Sequence, residues 1–139
     1  MSAMFKTVLF SIDQSREARE AAEVVTNVVQ KYGSRLVLLS VLEAADSVEP
    51  PSAEVMASPD AVAQLLKNAQ SLFTQQGITS EIIEREGKPA FVICDVADEI
   101  GANLIVMGCR GIGLTEEGIT ESVTNRVINL SPCPVLVVP

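Results

Sequence analysis

Two short segments carry the residue types that could do chemistry. The first is Asp13-Gln14-Ser15, directly after the apolar run Thr7–Ile12. The second is Gly108-Cys109-Arg110-Gly111-Ile112-Gly113, directly after the apolar run Asn103–Met107. Glycines between a strand and a helix let backbone N–H groups turn toward an anion, which a helix N-terminus also favours. On spacing alone, Gly108 and Gly111 read equally well as turn punctuation. Asp13 reads either as a helix cap or as one oxygen ligand of a hard cation whose other ligands come from phosphate and water. Cys109 stands beside Arg110 and near a helix start, features that can lower a thiol pKa; its plainer reading is a buried, inert thiol. Glu116, Glu117 and Glu121 form an acidic stretch, better read as an exposed loop than as a general base.

The chain contains no histidine. Ser-His-Asp and Cys-His catalysis are thereby excluded, and the usual zinc and haem ligands are missing. The three cysteines, Cys94, Cys109 and Cys133, are widely spaced and form no CxxC pair, so they read as reduced thiols. Ten basic against eighteen acidic residues give a net charge of −8. With no visible basic cluster, nucleic-acid binding is not expected. No run approaches the roughly 20 apolar residues of a membrane span, and the N-terminus lacks a signal-peptide pattern. The expectation is a cytoplasmic protein without membrane insertion.

The elements that must position these segments follow from hydrophobic periodicity. Thr7–Ile12 is a buried strand. A helix follows to about Tyr32, with Ala18, Ala21, Ala22, Val25, Val28 and Val29 on one face and Gly33 after its end. Arg35–Leu42 is a second strand, then Glu43–Ala57 is an irregular loop rich in proline and serine. Pro59 opens a second helix closed at Gly77. Thr79–Arg85 is a more polar third strand, expected near a sheet edge. Gly87-Lys88-Pro89 opens a third helix that closes at Gly101. Asn103–Met107 is a fourth strand, Gly108 to about Gly118 a glycine-rich loop, Glu121–Leu130 a helix and Val135–Val138 a fifth strand. The alternation of strand and helix over 139 residues, without repeat or linker, predicts one α/β domain, residues 1–139, built on a doubly wound parallel sheet. Ligands of such sheets sit beyond the strand C-termini, where the winding direction reverses.

At this point the sequence resembles the universal stress protein family. The resemblance rests on Gly108-x-x-Gly111, nine residues, Glu121 and a hydroxyl at Ser122, followed by Ser131-Pro-Cys-Pro-Val-Leu-Val-Val. Ile12-Asp13-x-Ser15 and Asn103-Leu-Ile-Val-Met-Gly108 are similar to that family's first and fourth strands. It implies a five-stranded sheet in the order 3-2-1-4-5 with helices on both faces, an adenine nucleotide alpha hydrolase-like fold. It further implies an ATP or AMP site at the junction of strands one and four. By position, Asp13 would lie by the ribose or a nucleotide-bound Mg²⁺ and Val41 by the adenine. Gly108, Gly111 and Ser122 would line the phosphates, with Arg110 the nearby cation. The family places glycine where this chain has Glu121, and often glycine where it has Gln14.

The resemblance also implies a homodimer through the C-terminal strand. Val135, Leu136, Val137 and Val138 are apolar on both faces, and an uncovered apolar edge strand is a liability that pairing with a second copy removes. The expected role is a stress-response regulator acting on a protein partner, with no catalytic residues. A competent ATP/AMP sensor and a slow ATPase stand as alternatives. Flavodoxin-like and receiver-like readings are set aside. Asp13-Gln14-Ser15 is not a hydroxyl-rich phosphate loop, and Glu84–Gly87 offers no phosphorylatable aspartate.

Overall fold

The computed structural model describes residues 5–12, 17–43, 59–108 and 119–138. Nine elements follow one another: β1 (Thr7–Ser11), α1 (Glu17–Tyr32), β2 (Arg35–Glu43), α2 (Pro59–Gln75), β3 (Ser80–Gly87), α3 (Pro89–Ile100), β4 (Leu104–Gly108), α4 (Ile119–Leu130) and β5 (Val135–Val138). Every expected strand and helix is present. Seven ends move by a residue or two: β1 stops at Ser11, β2 runs on to Glu43, β3 starts at Ser80 and continues to Gly87, β4 shifts to Leu104–Gly108, and α4 begins at Ile119 rather than Glu121. Such shifts are the ordinary scatter of element ends.

The five strands form one all-parallel sheet in the order β3-β2-β1-β4-β5. Strand alternation sorts their side chains into two cores. Val8, Phe10, Leu36, Leu38 and Val106 face one side, where Ala21, Val25 and Val29 of α1 and Val62, Leu66 and Phe73 of α2 cover them. Leu9, Val37, Leu39, Val41, Ile105 and Met107 face the other, under Ala90, Ile93, Val96 and Ala97 of α3 and Val127 of α4. Both faces are covered, which is why β1, β2 and β4 read as continuous apolar runs instead of alternating ones. Each large aliphatic side chain removed from water this way contributes roughly 1.5–3 kcal/mol. Phe10 and Phe73 meet edge to face at 6.2 Å between ring centroids, joining β1 to α2.

The more polar β3 lies at one edge, as its composition predicts. Its Glu81 and Arg85 pair with Arg35 of β2 and Glu99 of α3, and Ile82 is partly exposed. The other edge is β5, whose four residues are all half-buried. At the end of α3, Gly101 adopts the left-handed conformation (φ 66°, ψ 41°) and returns its N–H to the carbonyls of Ala97 and Asp98. That closes the helix and sends the chain back into β4.

Candidate functional site

At the switch point, unequal strand lengths leave the ends of β2 and β4 projecting past the end of β1. The β1–β2 ladder ends at Ser11↔Leu39, with the Ile12 N–H donating to the Leu39 carbonyl at 2.9 Å. Beyond that rung β2 runs on to Glu43, paired on its far side with β3 as far as Gly87. On the other flank the β1–β4 register ends at Phe10↔Val106, while β4 continues to Gly108, paired with Val138 of β5. After β1 the chain turns to the α1 face and toward β2. After β4 it turns to the α4 face and toward β5. The winding therefore reverses between β1 and β4, the position where sheets of this class bind ligands.

Val41 and Gly108 flank the end of β1. In a parallel ladder each residue points both backbone polar groups to the same side. Leu39 accepts from Ile12, so Val41, two residues on, presents its N–H and C=O past the end of β1. Among the described residues its N–H has no acceptor on that side. The Val41 side chain is only 7% exposed and packs in the core beneath α3. What Val41 offers the switch point is therefore its main chain, a donor and acceptor pair of the kind that reads the edge of a flat heterocycle.

Of the other expected site residues, Ser122 falls in the first turn of α4, next to Glu121. Asp13, Arg110 and Gly111 lie outside the described residues, as do Gln14, Ser15, Cys109, Glu116, Glu117 and most of the Glu43–Ala57 loop. Among the described residues no group of three or more acidic, cysteine or histidine side chains is placed to hold a metal ion.

Sequence reasoning missed one polar group beside the switch point. Ser40 is wholly buried on the α1/α2 face of β2, and its hydroxyl finds no partner among the described residues. The signal was a single serine inside the apolar run Arg35–Leu42, and a buried hydroxyl without a partner is costly. Thr124 of α4 repeats the situation on the opposite face. The two described cysteines show no activation. Burial, the Asp95 carboxylate and Cys133 push the Cys94 thiol up, and burial outweighs the Ser131 hydroxyl in raising Cys133.

Comparison with known proteins adds to this geometry. The sequence profile described as the universal stress protein family matches residues 4–139. A universal stress protein of Synechocystis is 62% identical over 136 residues, covering 98% of this chain and 87% of that protein. A crystal structure from the same family in Burkholderia pseudomallei superposes with a TM-score of 0.75 at 27% identity, over 100% of this chain and 99% of that one. A universal stress protein in complex with cAMP has the same fold, with a TM-score of 0.76 at 20% identity over 99% of each chain.

Proposed function

Because the chain belongs to the universal stress protein family, we propose that it is a cytoplasmic stress-response regulator. Its output is a change in protein contacts, and its input an adenine nucleotide at the β1/β4 switch point. In this reading it is a single domain and no enzyme. The observation that carries the proposal is the pair of strand ends beside β1, with the Val41 main chain on one flank and Gly108 on the other. The Val41 N–H and C=O would read the adenine edge. Gly108, Gly111 and Ser122 would line the phosphates with Arg110 as counter-charge, and Asp13 would hold the ribose or a nucleotide-bound Mg²⁺. The fold shared with a cAMP complex supports a nucleotide over other anions.

In this proposal the site is weakened for ATP. Glu121 stands in the N-terminal turn of α4, where a carboxylate would satisfy the helix dipole and compete with an anion for its place. For unit charges about 5 Å apart at an effective dielectric near 20, repulsion is roughly 3 kcal/mol, on the order of a hundredfold in affinity. Mg²⁺ would offset part of it, and AMP, with fewer phosphates, loses less.

Calorimetry of the nucleotide-stripped protein with ATP and AMP plus Mg²⁺, beside Glu121→Gly, tests this. Weak ATP binding that recovers by about a hundredfold in Glu121→Gly is the expected result. Micromolar binding by the unmodified protein would overturn the electrostatic argument and leave a competent nucleotide sensor. Phosphate release proportional to protein and abolished by Asp13→Ala would make it a slow ATPase.

The proposed assembly is a homodimer across β5. The half-buried state of Val135, Leu136, Val137 and Val138 at the sheet edge supports it, since such an edge is stabilised by covering it.

A further inference from the structure

A groove of about 300 Å³ opens on the face opposite α1 and α2, lined by Phe91, Cys94, Asp95, Asp98, Leu130 and Pro132. The four α3 residues stand at i, i+3, i+4 and i+7, so they share one side of that helix. Leu130 and Pro132 form the opposing wall, where α4 ends and the chain turns toward β5. Phe91 and Leu130 are 47% and 49% exposed. Large apolar side chains held this far in water, side by side, mark a contact surface more often than isolated exposed ones do.

The charged residues that line the groove, Asp95 and Asp98, are both acidic. Both are exposed, and among the described residues neither lies within salt-bridge distance of a cation. The last turn of α4 contains no basic residue, nor does that of α3, so the partial negative charge of both helix ends is left uncompensated from within. The Asp95 carboxylate is close enough to the buried Cys94 to act on its thiol. An aromatic face with two carboxylates beside it suits one side-chain chemistry above others. A guanidinium stacks on the ring and donates to the carboxylates through its planar fork.

We propose that the groove between α3 and the α4–β5 turn docks a partner protein through an arginine flanked by aliphatic side chains. The guanidinium lies over Phe91 and reaches Asp95, one turn along α3, with Asp98 a further turn away adding to the negative field, and the aliphatic neighbours cover Leu130 and Pro132. This rests on the reading of the protein as a regulator working through protein contacts, and it names the kind of partner. Charge complementarity fixes the choice of occupant. A segment that is apolar alone would leave two carboxylates facing a desolvated surface, and an acidic one would be repelled.

The test is a titration of ¹⁵N-labelled full-length protein with a short amphipathic helical peptide bearing arginine and leucine on one face. Its twin with glutamate for arginine is run in parallel. The expected result is saturable shifts of the Phe91–Asp98 and Leu130–Cys133 amides. They should weaken by at least about tenfold in Asp95→Asn/Asp98→Asn, weaken in Phe91→Ala, and be absent with the acidic twin. Thermal melts establish that the variants stay folded. Shifts confined to another surface overturn the groove and leave the protein-contact reading standing. Equal binding by the double variant, or no binding at all, overturns the arginine assignment. If free arginine matches the peptide, the groove is a small-cation pocket, and if dilution alone moves the same amides, a second copy fills it; either result overturns the proposal. The nucleotide calorimetry reads a different part of the molecule, so failure here and failure there are separable.

Discussion

Asn103 closes both backbone hydrogen bonds of Thr7: its N–H donates to the Thr7 carbonyl at 2.8 Å, and its Oδ1 accepts the Thr7 N–H at 2.8 Å. Thr7 opens β1 and Asn103 immediately precedes β4, so one residue, through its main chain and its side chain, starts the ladder between the two strands whose far ends bound the switch point. Thr7 is 8% exposed, and water cannot readily replace the lost acceptor. Asn103→Ala should therefore cost about 1–3 kcal/mol. Asn103→Asp, which keeps the acceptor, should cost less. Urea unfolding checks this. A midpoint for the alanine variant equal to wild type would mean that the clamp contributes nothing.

Gly87 joins β3 to the Lys88-Pro89 start of α3 at φ 147°, and a Cβ there would sit 2.8 Å from Val92 Cγ2. Valine is stiff about χ1, so the contact cannot be relieved by rotating a long side chain. Gly87→Ala is expected to destabilise by about 1–3 kcal/mol through backbone strain and that clash. In Gly87→Ala/Val92→Ala the clash is removed and the strain remains, so the double variant should lose less than the two single costs combined. Additive costs in denaturant unfolding would show that the Val92 contact is immaterial.

The two surface ion pairs give a pH signature of known sign. Hydrogen bonding to Arg35, and to Arg85, holds the Glu81 and Glu99 carboxyls below the ordinary value of 4.5. A carboxylate depressed in the folded state adds stability above its unfolded pKa. That contribution is lost as pH falls through the folded value. All four side chains are about half exposed, so screening keeps the effect small. In a carboxyl-detected NMR titration, Glu81 and Glu99 should titrate below an unstructured-peptide glutamate. Glu81 should return to that value in Arg35→Gln, and both should move toward it in high salt. Ordinary midpoints at low salt would refute the pairing in solution.

The fold was legible because two-sided burial leaves a local trace. Runs such as Leu36–Leu39 are apolar without alternation, the mark of a strand covered on both faces. The polar Ser80–Gly87 gave away its edge position in the same way. Strand order came from the family resemblance, since periodicity carries no information about which strands are neighbours. Long-range pairings such as Asn103 with Thr7, 96 residues apart, leave no local pattern. Neither does the groove beneath Phe91, which forms only when the α4–β5 turn meets α3. At the switch point, the family resemblance implied Val41 by the adenine. That its side chain is committed to the core and its main chain projects past the end of β1 required the register of β1 against β2.

The β5 edge allows a test that separates assembly from folding. Ile105 donates its N–H to the Pro134 carbonyl, so the backbone groups of Pro134, Leu136 and Val138 point toward β4 while those of Val135 and Val137 point outward. Proline removes one N–H and fixes φ near −65°, which an edge strand tolerates when the lost donor is the outward one. Val137→Pro should therefore leave the β4–β5 ladder intact and cost only part of the Val137 packing. It removes a donor that antiparallel pairing with a second copy would use. Leu136→Pro, one residue away, deletes an inward donor and should damage the fold itself. By sedimentation and thermal melting, the expected outcome is a wild-type dimer, a folded Val137→Pro monomer and a destabilised Leu136→Pro. A Val137→Pro protein that stays dimeric at wild-type affinity would place the interface elsewhere.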